Sequence, residues 1–144
     1  MERIDKMGKN IWRIGIVIIM LALLCRAEDW PQYLGPDRNA VSMETGIMRS
    51  WPEGGPQVLW TIPMGSGFGG AAVSRGKVYA LDRNGDKGDV FRVIDLASGK
   101  EDWSYAYEAP GKLDHGGSRS VPAVDGNLVY TCGPFGHYHC FDIR

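Results

Sequence analysis

The residues of this chain that could carry chemistry sit in glycine-flanked loops. Asp114-His115-Gly116-Gly117-Ser118-Arg119-Ser120 sets an imidazole and a guanidinium four positions apart, just ahead of an apolar, β-prone stretch. His115 and Arg119 are the only candidates for a functional surface. The competing structural use is an Arg119 ion pair with an aspartate. His137 and His139 are two apart on an expected strand, so both imidazoles point to one face. Two imidazoles could begin a metal site, but no third ligand stands nearby at a recognised spacing, which favours polar packing. Gly65-Ser66-Gly67-Phe68-Gly69-Gly70 satisfies G-x-G-x-x-G, yet a dinucleotide site needs a helix after the loop. Here β-prone residues follow, so the run reads as a close backbone approach to a strand. Asp82-Arg83-Asn84-Gly85-Asp86-Lys87-Gly88-Asp89 opens like a calcium loop. An EF-hand would need Gly and Glu where Lys87 and Val93 stand, so a solvated hairpin turn is expected. No residue reads as catalytic, and none as a metal ligand.

The elements that must position these loops are strands. The chain has 144 residues, 44% hydrophobic and 23% charged, with 20 glycines, which suits short strands joined by tight turns. A net charge of -1 argues against a nucleic-acid partner, which would require a basic surplus or patch. Residues 57–62 (QVLWTI), 70–74, 77–82, 90–96 and 102–107 read as strands, and 120–142 as three more. No helical period persists past residue 50, so the body is expected to be all-β. Residues 28–56 read as an extended lead-in, with Trp30 and Tyr33 packing on the body and a short helical turn near Met43–Met48.

Residues 1–27 form a separate unit. Arg3, Lys6, Lys9 and Arg13 precede an apolar run from Ile14 to Leu24, and Cys25-Arg26-Ala27 fits cleavage after Ala27. The run is shorter than the roughly 20 residues a spanning helix needs. An exported, periplasmic or cell-envelope protein is expected, with an uncleaved N-terminal anchor as the alternative and as the only membrane contact. Lipidation at Cys25 fits poorly behind the bulky Leu24. Export would permit a disulfide. Cys132 and Cys140 fall on one face of an expected hairpin, opposite or diagonal according to the turn, and are expected to be free, buried thiols.

The chain also repeats itself. Ala72–Tyr79 aligns with Ala123–Tyr130 at a shift of 51, Asp95 with Asp142 at 47, and Trp60 with Trp103 at 43. Repeats of about 40–50 residues holding four strands are propeller blades. Within the first repeat, Val93-Ile94-Asp95-Leu96-Ala97-Ser98-Gly99-Lys100-Glu101-Asp102-Trp103 resembles the tryptophan-docking motif of pyrroloquinoline-quinone (PQQ)-type β-propellers. Asp95, Gly99 and Trp103 match it, Ser98 stands for Thr, and Val93 for the usual Ala. The lead-in Trp30–Asn39 and the segment Trp51–Pro56 resemble the opening of a secreted bacterial subgroup of that family.

The resemblance covers residues 28–144 and implies four-stranded antiparallel blades. It leads to the expectation of one full blade plus three strands of a second in an incomplete ring, residues 57–144 being a partial propeller. Residues 57–62 would then be the outer strand of the closing blade. Two functions follow from the resemblance: a binding or scaffold module with a protein or cell-envelope partner, or the N-terminal part of a quinone-dependent dehydrogenase whose catalytic residues lie in further blades. PQQ and calcium are open as cofactors by resemblance alone.

Overall fold

The computed structural model describes residues 27–144. The expected signal segment, from its basic stretch through Arg26, lies outside the described residues. Among those described, no helix is long and apolar enough to cross a membrane.

Seven strands follow one another: β1 (Ala72–Ser74), β2 (Lys77–Asn84), β3 (Gly88–Asp95), β4 (Glu101–Glu108), β5 (Ala123–Asp125), β6 (Leu128–Cys132) and β7 (Tyr138–Asp142). They form two antiparallel sheets, β1-β2-β3-β4 and β5-β6-β7. The described residues are thus all-β, with four and three strands, and they do not close a ring.

Local chemistry dictates the turns. Ser74 pairs with Lys77, leaving Arg75-Gly76 as a two-residue loop. Both have positive φ, at 53° and 74°, the type I′ geometry whose twist matches the flanking strands. β2 and β3 run further than the sequence suggested, pairing through Asn84 with Gly88. Asp82 and Asp89, expected in a solvated turn, are therefore ladder residues and are almost fully buried. Both carboxylates meet arginines there: Arg92 Nε lies 2.8 Å from Asp82 Oδ2, and Arg83 Nη1 lies 3.0 Å from Asp89 Oδ1. A buried carboxylate persists only with such partners.

The sheets pack face to face around one core. Phe91 stacks on Phe141 with centroids 4.6 Å apart, and Tyr107 lies 4.2 Å from the His139 ring. The first sheet contributes Tyr79, Leu81, Phe91 and Val93 to the core cluster, and the second contributes Val129. Alternation along a strand then fixes the rest. Tyr130, Cys132, Tyr138 and Cys140 occupy the second sheet's other face, where Tyr138 is 79% exposed.

The two sheets share one register. Ala72↔Tyr79 and Ala123↔Tyr130 are equivalent pairs, as are Leu81↔Phe91 and Cys132↔Tyr138. Position by position, the packed face of the first sheet (Tyr79, Leu81, Phe91, Val93) corresponds to the uncovered face of the second (Tyr130, Cys132, Tyr138, Cys140). The sheets therefore stack front to back.

The lead-in is an edge strap. Trp30 exchanges both backbone hydrogen bonds with Val73, at 2.8 and 2.9 Å, and Val124 N donates to Pro31 O at 2.8 Å. One short segment thus satisfies the open edges of β1 and β5 together. Tyr33 does not pack as expected and is largely exposed. Met43–Met48 forms no helical turn, and Met43, Ile47 and Met48 all face solvent, so no buried face stabilises one. Residues 57–62, expected to be a strand, belong to no strand and make no backbone–backbone hydrogen bond among the described residues. Cys132 and Cys140 are free, as expected, and diagonal in the β6–β7 register. They are not buried: Cys132 is half-buried and Cys140 exposed, since no sheet packs on that face among the described residues.

Candidate functional site

Two glycine-rich loops meet at one end of the sheets. Ser66 and Arg83 exchange backbone hydrogen bonds at 2.9 and 3.0 Å, which ties the first loop to β2. Phe68 N then donates to Ser118 O at 2.7 Å, and Ser118 N to Ser66 O at 3.3 Å, which ties in the second. The close approach expected of Gly65–Gly70 is present. A Cβ at Gly65 would collide with the carbonyl of Arg83, and one at Gly69 with that of Ser120.

This crossing brings Phe68, His115 and Arg119 together around an open cavity of about 330 Å³. Arg119 Nη2 donates to the backbone carbonyl of His115 at 3.3 Å. The expected aspartate partner is not found: among the described residues Arg119 makes no salt bridge, and Phe68 shares the cavity with it. Phe68 is 67% exposed, and only its place inside the glycine run marked it in the sequence. Together these side chains can receive an anionic group, the guanidinium as a fixed cation and the ring as an apolar wall.

The docking motif holds a second arrangement. Asp95 Oδ1 accepts from Ser98 Oγ at 2.8 Å and from Ser98 N at 3.0 Å. Lys77 Nζ lies 3.0 Å from Asp95 and 2.7 Å from Asp102. The Ser98 hydroxyl, with the Lys77 ammonium behind it, lowers the Asp95 carboxyl to about 2. Gly99 takes φ 69°, a left-handed conformation that side chains oppose. The Trp60 ring fills the space a Cβ there would occupy, and its Nε1 donates to Leu96 O at 2.8 Å. Trp60 is therefore docked on the Asp95–Gly99 turn, and Trp103 leans on the other sheet, 5.8 Å from the Phe141 ring and 38% exposed.

A buried knot that sequence reasoning missed lies between the sheets. Arg83 bridges Asp89 and the carbonyls of Ala109 and Gly111, at 2.7 and 3.0 Å, under the Phe135 ring. Asp89 Oδ2 and the Tyr107 hydroxyl converge on Gly133. Burial, with the Asp89 charge beside it, pushes the Tyr107 hydroxyl upward. Arg83 and Asp89 flank the hairpin symmetrically, which was the available signal for their pairing. His137 and His139 both lie against Tyr107, at 5.6 and 4.2 Å. No cluster of three or more metal-ligating side chains occurs among the described residues. No family model matches the chain, and no curated protein matches it either.

Proposed function

We propose that the two sheets are neighbouring blades of a PQQ-type β-propeller acting outside the cytoplasm as a binding or scaffold module. The observation that carries this reading is the docking of Trp60 on the Asp95–Gly99 turn. Trp60 aligns with Trp103, the tryptophan that the resemblance sets against a neighbouring blade, and it caps the turn of the first sheet from residues 57–62, the segment that the resemblance assigns to the closing blade. Front-to-back stacking supports it, because each sheet then offers its neighbour the same pair of faces, the condition for radial repetition. The binding surface is the Phe68, His115 and Arg119 cavity, formed by loops that lead into β1 and β5. Its guanidinium favours an acidic segment of a protein or cell-envelope partner.

Two measurements test this. Replacing Trp60 by Ala removes a half-buried ring and one hydrogen bond, and is expected to lower stability by about 2 kcal/mol in denaturant unfolding. An unchanged midpoint would defeat the blade assignment. A photo-crosslinker at residue 68 in the native host is expected to capture a discrete partner that Arg119→Glu releases. Saturable, calcium-dependent uptake of PQQ by the chain would instead replace the binding module with the dehydrogenase.

A further inference from the structure

We propose that the Phe68, His115 and Arg119 cavity captures the free C-terminus of a partner chain whose last side chain is apolar. This deepens the binding surface named above and rests on it.

The occupant follows from the make-up and size of the cavity. Two of its three lining residues are basic, yet the wall they share with Phe68 exposes mostly carbon. The Arg119 stem and the Phe68 ring supply that carbon, and the guanidinium is the fixed charge attached to it. Of the acidic groups a partner can offer, the terminal carboxylate fits this best. A run of acidic side chains would lay every carboxylate beyond the first on carbon without a cation. The last residue of a chain brings one carboxylate with one side chain beside it, both leaving the same Cα. The volume of about 330 Å³ is at the small end of the roughly 300–1,000 Å³ of small-ligand sites, which suits a residue better than a folded element. The cavity is open to solvent, so the chain leading to that residue has a way out.

Hydrogen-bonding capacity agrees. Arg119 uses one N–H on the His115 carbonyl, at 3.3 Å. The remaining N–H groups of its planar fork suit a partner with two equivalent oxygens, which a terminal carboxylate is and an amide is not. His115 brings a ring nitrogen into the same cavity. Capture of a C-terminal carboxylate is a recurring mode of peptide recognition.

The backbone carrying these groups is fixed before any ligand arrives. Gly65 N donates to the buried Asp82 carboxylate at 2.6 Å, and Ser66 is paired with Arg83, so the glycine run is held to β2 at two successive residues. Ser118 is bonded through its N–H and carbonyl to Ser66 and Phe68, and Ser120 Oγ donates to the Cys132 carbonyl of β6. Arg119 therefore stands between two anchored serines. Arg83 serves both loops: its backbone holds Ser66, and its guanidinium holds the Ala109 and Gly111 carbonyls at the root of the loop that bears His115. Such preorganisation lowers the ordering cost of binding.

The test is fluorescence polarisation with the full chain and tagged glycine/serine peptides that differ only at the C-terminus. The free acid ending in phenylalanine is expected to bind saturably. Its C-terminal amide, and a free acid ending in serine, are each expected to bind at least about tenfold more weakly. Arg119→Gln and Phe68→Ser are each expected to weaken the phenylalanine acid by at least about tenfold, with unchanged far-UV spectra because both side chains are exposed. Should Arg119→Gln lose its β spectrum, Arg119→Lys takes its place, keeping the charge without the fork, and the preference for acid over amide is expected to shrink. An amide that binds as tightly as the acid would overturn the proposal. So would a serine-terminated acid that matches phenylalanine, or no binding of any free acid up to about 1 mM. N-acetylphenylalanine competing as strongly as the peptide would overturn the chain terminus as the source. Binding only of an amidated peptide with an internal acidic run, released by Arg119→Gln, would sink this inference and leave the acidic partner proposed above in place. Indifference of stability to Trp60→Ala would instead remove the blade reading without touching these binding curves.

Discussion

Arg83→Met offers the sharpest test of how the inter-sheet layer is held. Arg83 and Asp89 are 1% and 0% exposed, so neither charge can turn to water. The guanidinium also serves the Ala109 and Gly111 carbonyls. Removing it leaves a buried carboxylate without its cation, which costs about 3–5 kcal/mol. Two carbonyls lose their donor as well, for about 1 kcal/mol or more each. The sum is comparable to the whole stability of a typical domain, roughly 5–15 kcal/mol. Urea unfolding followed by far-UV circular dichroism is therefore expected to find Arg83→Met largely unfolded or at a much lower midpoint. Asp89→Leu in the same chain removes the stranded charge, and the double variant is expected to regain most of the loss, since apolar replacement of a buried pair is close to neutral. A single variant within about 1 kcal/mol of the parent would refute the reasoning, since a surface pair behaves that way. So would a double variant no more stable than Arg83→Met.

Three further outcomes are expected. Gly99→Ala forces a side chain into left-handed backbone against the Trp60 ring; a loss of at least about 1–2 kcal/mol should appear in unfolding, with a change in Trp60 fluorescence. The Asp95 carboxyl sits below its ordinary 3.8, at about 2, so its contribution is complete above pH 4 and is lost as pH falls towards 2. Acid titration of Asp95→Asn should lack that portion of the parent's decline, and an identical curve would remove the turn from the account. Cys140 is exposed and Cys132 half-buried, so mass-resolved alkylation of the dilute chain should modify Cys140 first.

The sequence by itself determined the strands and one turn. Alternating β-prone residues between glycine-bearing turns located the four strands of the first sheet and placed three more within residues 120–142, because side-chain period and turn chemistry are local properties. Asp95, Ser98 and Gly99 were legible for the same reason: their hydrogen bonds and left-handed backbone lie within five residues. Tertiary structure decided everything that depends on what covers a face. Among the described residues the lone β-prone segment Gln57–Ile62 stayed unpaired, since a strand needs an edge as well as a propensity. Asp82 and Asp89 became buried ion-pair members, because their fate depended on two arginines brought in by the ladder. Arg119 found a carbonyl and an open cavity instead of an aspartate, and Phe68 joined it only because two loops far apart in sequence cross there. Cys140 is exposed although its position in β7 suits burial: the strand fixed the direction of the thiol, and the presence or absence of a neighbouring sheet fixed what that thiol meets.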